Sequence, residues 1–122
     1  MIVAGFGFKK DATLGSLQDA FDRACVAARP DAIATSDDKA TTEVFRLFSD
    51  EIDLPIKAVP ADMLTQQNTL TQSLKSLAER GVGSVAEAAA LSAAGPGARL
   101  MTERHVSADR LATCALAVRE TS

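Results

Sequence analysis

The sequence predicts an α/β fold: a mostly parallel sheet between helix layers, made mixed by a hairpin at its C-terminal end. Three observations predict it. Short apolar runs at residues 2–5, 32–35 and 55–59 alternate with segments of helical periodicity. The first strand, helix and second strand follow closely enough to form a βαβ unit, which pairs in parallel through a right-handed crossover. Residues 100–106 and 111–118 are two further strand-like runs joined by a short turn at 107–109, which gives an antiparallel pair. That makes about five strands.

Each element has a local cause. Residues 2–5 begin with β-branched side chains and read as a buried strand, and "GFGFKKDA" reads as a loop after it. Thr13 offers a hydroxyl as N-cap to a helix whose apolar residues Leu14, Leu17, Phe21, Ala24 and Ala28 recur at helical spacing. Pro30 closes that helix because it lacks the N–H that would continue the ladder. After the second strand, "SDDKATT" reads as a loop, and Val44, Phe45, Leu47, Phe48 and Ile52 mark an amphipathic helix. Pro55 is confined to the first position of the third strand.

Residues 60–64 then read as a helical turn and 66–69 as a polar loop. Leu70, Leu74, Leu77 and Ala78 define a helix, with Gly81 as its C-terminal glycine. Ser84 opens the next helix, and Glu87 three positions on completes a capping box. The body of this helix, "VAEAAAL", can fill almost no space. It reads as a helix pressed tightly against a sheet or another helix, with its start held rigidly. "AAGPGA" ends it.

Bulk properties exclude several classes. The 122 residues suffice for one domain spanning 1–122, and 47% hydrophobic with 24% charged residues is ordinary for a globular protein. No apolar run reaches the ~18 residues of a membrane span, and the lysines follow the first apolar run rather than precede it, unlike a secretory signal. A cytoplasmic protein is expected. Net charge is −3, with no Trp, no Tyr and five Phe, which argues against nucleic-acid binding. Cys25 and Cys114 read as two buried thiols, and one histidine without a CxxC argues against a metal site.

In parallel sheets, ligands bind outside the carboxyl ends of the strands. Three stretches that follow strands or begin helices are the candidates for that position. They are Gly5 and Gly7 with Lys9 and Lys10, Thr35 with Asp38 and Lys39, and Gly81 with Gly83 and Ser84. Glycine lets backbone amides approach an oxyanion, a helix N-terminus carries about half a positive charge, and the lysines add ammonium groups. Taken singly, each stretch also has a bland account: turn glycines, solvated lysines and a helix cap. Lys10 occupies the third glycine position of a GxGxxG, which disfavours a dinucleotide site, and no P-loop is present. Asp37 and Asp38 lack a third metal ligand, Ser84 has no GxSxG setting, and His105 reads as structural or exposed.

Taken together, "GFGFKK", the "TSDDKA" loop, "IKAVPADML" and above all "GVGSVAEAAAL" resemble the CobE/CbiG C-terminal family of cobalamin biosynthesis, in order and over nearly the whole chain. The resemblance implies a three-layer α/β/α domain that binds or acts on a corrin-ring precursor rich in acetate and propionate arms; no cofactor is expected. The family blocks fall on Gly5, Gly7, Thr35, Asp38, Lys39, Gly83, Ser84 and Glu87. The chain departs from the family pattern at "TERHVSADRL", where a lysine-containing turn and a glycine pair are usual; Arg104 and His105 are the nearest basic substitutes there.

Three functions are expected from this reading, in descending order. The first is binding of a precorrin or corrinoid intermediate, as carrier or accessory to pathway enzymes. The second is hydrolysis of a precorrin ring lactone, as the resemblance to full-length CbiG implies, with Asp38 or Glu87 activating water. Lys39 or the Gly83–Ser84 amides would then steady the oxyanion. No nucleophile–base pair is evident, so turnover is left open. The third is a non-catalytic module that docks on a pathway enzyme.

Overall fold

The computed structural model describes residues 1–26, 28–60, 82–95, 97–102 and 104–119, with residues 82–84 given by their backbone. The described elements are β1 (Ile2–Phe8), α1 (Leu14–Ala24), β2 (Ala32–Ser36), α2 (Asp37–Ala40), α3 (Glu43–Ile52), β3 (Ile56–Val59), α4 (Val82–Ala94), β4 (Arg99–Leu100), β5 (His105–Val106) and β6 (Ala112–Val118). One mixed sheet runs in the order β3-β2-β1-β6-β4, with β5 also on β6. β1, β2 and β3 are mutually parallel, while β6 is antiparallel to β1, β4 and β5. The α/β class and the closing hairpin are those the sequence predicts. The expected 66–69 loop, the helix of Leu70, Leu74, Leu77 and Ala78, and Gly81 lie outside the described residues, as does the 60–64 turn beyond Pro60.

The central strand differs from expectation. β1 continues through Gly5 and Gly7 to Phe8 instead of giving way to a loop. Pairing explains this: Phe6, Gly7 and Phe8 face Cys114, Thr113 and Ala112 of β6, so the backbone stays extended despite its glycines. Strand alternation sends Phe6 and Phe8 to one face and Gly5 and Gly7 to the other.

The two faces bury different things. On the first, Phe6, Phe8, Phe21, Phe45 and Phe48 form one cluster with Leu17, Ile33, Cys114 and Leu116, beneath α1 and α3. These are all five phenylalanines of the chain. On the second face, Val3, Ala34, Val59 and Ala117 meet Ala89, Ala90, Leu91 and Ala94 of α4. A Cβ on Gly5 would lie 2.1 Å from the Ala86 carbonyl oxygen and 2.4 Å from the Ala90 nitrogen. The alanine helix therefore rests on the backbone of β1, and small residues on both sides permit that approach. Ala86 through Leu91 are six consecutive buried residues, so α4 is enclosed on all sides.

Local signals account for the helix ends. Thr13 caps α1 by accepting from the Ser16 amide, and the Ser16 hydroxyl accepts in return from the Thr13 amide, which is a capping box the sequence reading did not recognise. The helix ends at Ala24, ahead of Pro30, and Ala28 packs against the core from outside it. α2 replaces the expected 36–42 loop with a single helical turn. Cys114 is fully buried, whereas Cys25, at the end of α1, is only half-buried; burial and the nearby Asp22 push its thiol up to about 11.

The expected strand at 100–106 is two short pieces. From Leu100 to His105 the chain takes five steps, while its partner takes three, from Ala117 to Cys114. The two registers differ by two residues, and between them the Thr102 hydroxyl accepts from the Leu116 amide at 3.1 Å.

The β5–β6 turn is clipped to α1. Asp109 accepts from the hydroxyls of Ser107 and Ser16 and from the Leu111 amide, and Asp19 accepts from the Ala108 amide at 2.6 Å. These hydrogen bonds stabilise the ionised carboxylates and hold both below their ordinary value of 3.8. A depressed folded-state pKa contributes stability that is present above about 3.8 and lost as pH falls through the lower, folded value. Asp109→Asn is expected to melt below wild type at pH 7, and the gap should be smaller at pH 2 than at pH 7. Circular dichroism melts at both pH values check this; an equal gap at pH 2 would mean that charge plays no part in the clip.

Candidate functional site

The rim at the carboxyl ends of β1 and β2 gathers the predicted polar stretches. β1 ends at Phe8 and leads directly into Lys9 and Lys10, both exposed. The Lys9 amide donates to the Leu111 carbonyl at 2.8 Å, joining this turn to the one before β6. β2 ends at Ser36, from which α2 presents Asp37, Asp38 and Lys39. The Lys39 ammonium reaches across to donate to the Phe8 carbonyl and lies 4.8 Å from the centre of the Phe8 ring. One positive charge is thus fixed on the last residue of the central strand, and partial burial lowers the Lys39 pKa.

α4 starts at the same edge. Glu87 in its first half accepts from the Arg104 amide beside β5, while Gly95 just after its end approaches Arg119 beyond the far end of β6. Because β6 is antiparallel to β1, α4 runs antiparallel to the parallel strands, and its amino end lies toward their carboxyl ends.

Not every predicted residue reaches this rim in a usable form. Gly5 is inside the sheet, paired to Ala34 and Ala115 and covered by α4. Gly7 is nearer the edge, with its carbonyl accepting from the Thr113 hydroxyl at 3.1 Å. Thr35 is fully buried, and its hydroxyl donates to the Phe6 carbonyl at 2.9 Å, tying β2 to β1. Asp38 is exposed, and a hydrogen bond from the Ser36 hydroxyl holds its carboxyl below 3.8.

The third stretch is corrected in part. α4 begins at Val82, so Ser84 is its third residue rather than its cap, and Gly83 is already helical. Glu87 is then the sixth residue, too far along for a capping box with Ser84; it is fully buried and accepts from the Arg104 amide at 3.3 Å. Arg104 engages through this backbone contact, and His105 lies half-buried opposite Cys114. Gly81 is outside the described residues. The sequence reading missed Thr113, which looks like one polar residue in an apolar strand. Among the described residues no group of His, Cys, Asp and Glu could hold a metal ion, and no helix is long and apolar enough to cross a membrane.

Residues 2–117 match the family described as cobalamin synthesis G C-terminus. The chain belongs to that family. It is therefore a protein of the cobalamin biosynthesis pathway, of the CobE/CbiG kind. Among solved structures it is similar to CobE, a protein from the cobalamin (vitamin B12) biosynthetic pathway, with 27% identity over 100% of this chain and 92% of that one, and a TM-score of 0.82. It is similar to cobalamin biosynthesis protein chiG from Agrobacterium tumefaciens str. C58 at 30% identity, covering 99% of this chain and 100% of that one with a TM-score of 0.75. A putative cobalamin biosynthesis protein G homolog from Sulfolobus solfataricus shares the fold, at 23% identity and a TM-score of 0.71. The match covers 98% of this chain and 37% of that longer one. None of the curated proteins matches the sequence.

Proposed function

We propose that this chain binds a carboxylate-rich corrinoid intermediate at the strand-end rim and acts as a cytoplasmic carrier, or accessory, for neighbouring enzymes of the pathway. One observation supports this above all: Lys9, Lys10 and the pinned Lys39 stand on the sheet edge toward which the amino end of α4 points. A macrocycle edged with acetate and propionate arms needs several positive groups at fixed separations. Here the lysines supply full charges, and the helix end supplies about half a positive charge. The lysine ammonium has three donors, so the contact with Phe8 leaves Lys39 able to reach a ligand oxygen.

Two observations favour binding over lactone hydrolysis. Asp38 is held ionised and below the ordinary carboxylate range, which makes it a poor general base near neutrality. Glu87 is buried and already accepts a backbone hydrogen bond.

Absorbance titration with hydrogenobyrinic acid tests the reading. Saturable binding in the low micromolar range is expected, weakening as salt rises. Replacing both Lys9 and Lys10 with alanine leaves the fold intact, because both side chains are exposed, and should weaken binding about tenfold, the loss of roughly 1.4 kcal/mol. Lys39→Met should weaken it comparably. Absence of any spectral change at tens of micromolar protein and pigment would sink the proposal.

A further inference from the structure

A groove on the flank of the molecule, away from α4, has the chemistry of a second anion site. It measures about 460 Å³ and is lined by Arg23, Val106, Ser107, Ala108 and Arg110. That volume suits a small organic acid or one arm-bearing edge of a larger ligand. Its walls are the outer side of α1 and the turn that follows β5, whose far edge has no described strand beside it.

Three features set this groove apart from an ordinary crease. First, Arg110 adopts φ of +62°, a left-handed conformation that glycine takes freely and arginine does not. A tight turn needing that geometry is better served by glycine or asparagine, so the guanidinium is present despite the backbone and not because of it. Second, the carboxylates nearby are already engaged. Asp109 has both oxygens covered by Ser107, Ser16 and the Leu111 amide, while Asp19 holds the Ala108 amide and the Arg23 Nε at 3.1 Å. They order the groove and leave the Arg110 guanidinium and the terminal nitrogens of Arg23 without a partner among the described contacts. Third, the whole turn is anchored by five hydrogen bonds from side chains or amides of α1 and the turn itself, so its two walls are held in register.

We propose that Arg23 and Arg110 form a carboxylate-binding site for a small polycarboxylate, distinct from the lysine rim. The carboxylate belongs either to a free organic acid or to an arm of the same macrocycle; both present one planar anion to two forked donors.

Arg110→Gly is the discriminating variant, because it removes the guanidinium while relieving the turn. Its melting temperature should rise by roughly 2–4 °C. Citrate, titrated into isotopically labelled protein, should shift the amides of residues 106–110 in wild type, and Arg110→Gly should weaken that response at least fivefold. Arg23→Gln should weaken it similarly. Hydrogenobyrinic acid forms the second arm: a fivefold loss of its affinity in Arg110→Gly assigns the carboxylate to the macrocycle, and no loss assigns it to a free acid. If citrate leaves residues 106–110 unmoved in wild type, or if folded Arg110→Gly responds as wild type does, the groove is not an anion site, whatever the macrocycle does at the rim. If citrate binds and hydrogenobyrinic acid does not, the groove stands and the corrinoid proposal falls.

Discussion

Gly5→Ala is expected to cost about 3 kcal/mol or more, a large part of the ~5–15 kcal/mol that holds a domain of this size together. The added Cβ would sit 2.1 Å from the Ala86 carbonyl oxygen, 2.4 Å from the Ala90 nitrogen and 2.8 Å from the Ala90 Cβ. The nearest two atoms are backbone, in a helix buried on every side, so no rotamer change relieves the clash. Either α4 lifts by about 1 Å along its length, forfeiting dispersion contacts over the whole alanine face, or β1 bends out of a ladder paired on both sides. Urea unfolding followed by far-ultraviolet circular dichroism measures the loss. Gly15→Ala provides the control: it lies in α1 with its nearest contact at 3.6 Å, and should stabilise by roughly 0.5–1 kcal/mol. Because α4 begins near the rim, any folded Gly5→Ala protein should also bind hydrogenobyrinic acid more weakly. A Gly5→Ala protein within 1 kcal/mol of wild type would show that the helix–sheet approach is slack, contrary to the geometry.

Phe6→Ala is the second large effect, expected at about 3–5 kcal/mol. Phe6 is the ring on which the aromatic cluster converges. It stacks with Phe21 at 6.3 Å and meets Phe45 and Phe48 edge-on at 5.6 and 5.4 Å between centroids. Its neighbours come from both helices on that face, so removing it opens a void bounded by α1, α3 and the sheet at once. None of the surrounding rings can collapse inward without breaking another contact: Phe8 is stacked on Phe45, and Phe21 is edge-on to Phe48. The urea midpoint should fall while the slope of the transition stays constant, since the surface exposed on unfolding hardly changes. A loss below 1.5 kcal/mol would mean that the cluster repacks freely.

Much of this was legible from residue order. The strands, the α1 and α3 helices and the terminal hairpin follow from hydrophobic period and from Thr13, and each arises from interactions a few residues apart. The alanine run signalled close approach, because no other packing suits a helix with so little volume. Its partner was not legible. By local propensity the "GFGFKK" stretch reads as a loop, since glycine lowers strand propensity; pairing of Gly5 to both β2 and β6, and of Gly7 to β6, overrides that preference. The Ser84–Glu87 spacing mimicked a capping box, yet the helix starts at Val82, and Glu87 turns to an amide seventeen residues away. Thr35 shows the same limit: it lies where a ligand residue could stand, but its hydroxyl is bound to the neighbouring strand.

By itself, then, the sequence determined most of the described strands and helices, the α/β class, the family and which basic or glycine-rich stretches follow strands or begin helices. Those properties are encoded in short-range spacing and in residue identity. Tertiary structure alone decided that the alanine helix lies on Gly5, that Lys39 is tied to Phe8, and that Arg110 faces a groove beside Arg23. The reason is physical: such contacts join residues tens of positions apart, and which of many chemically equivalent partners meet depends on strand order and register, which no local pattern specifies.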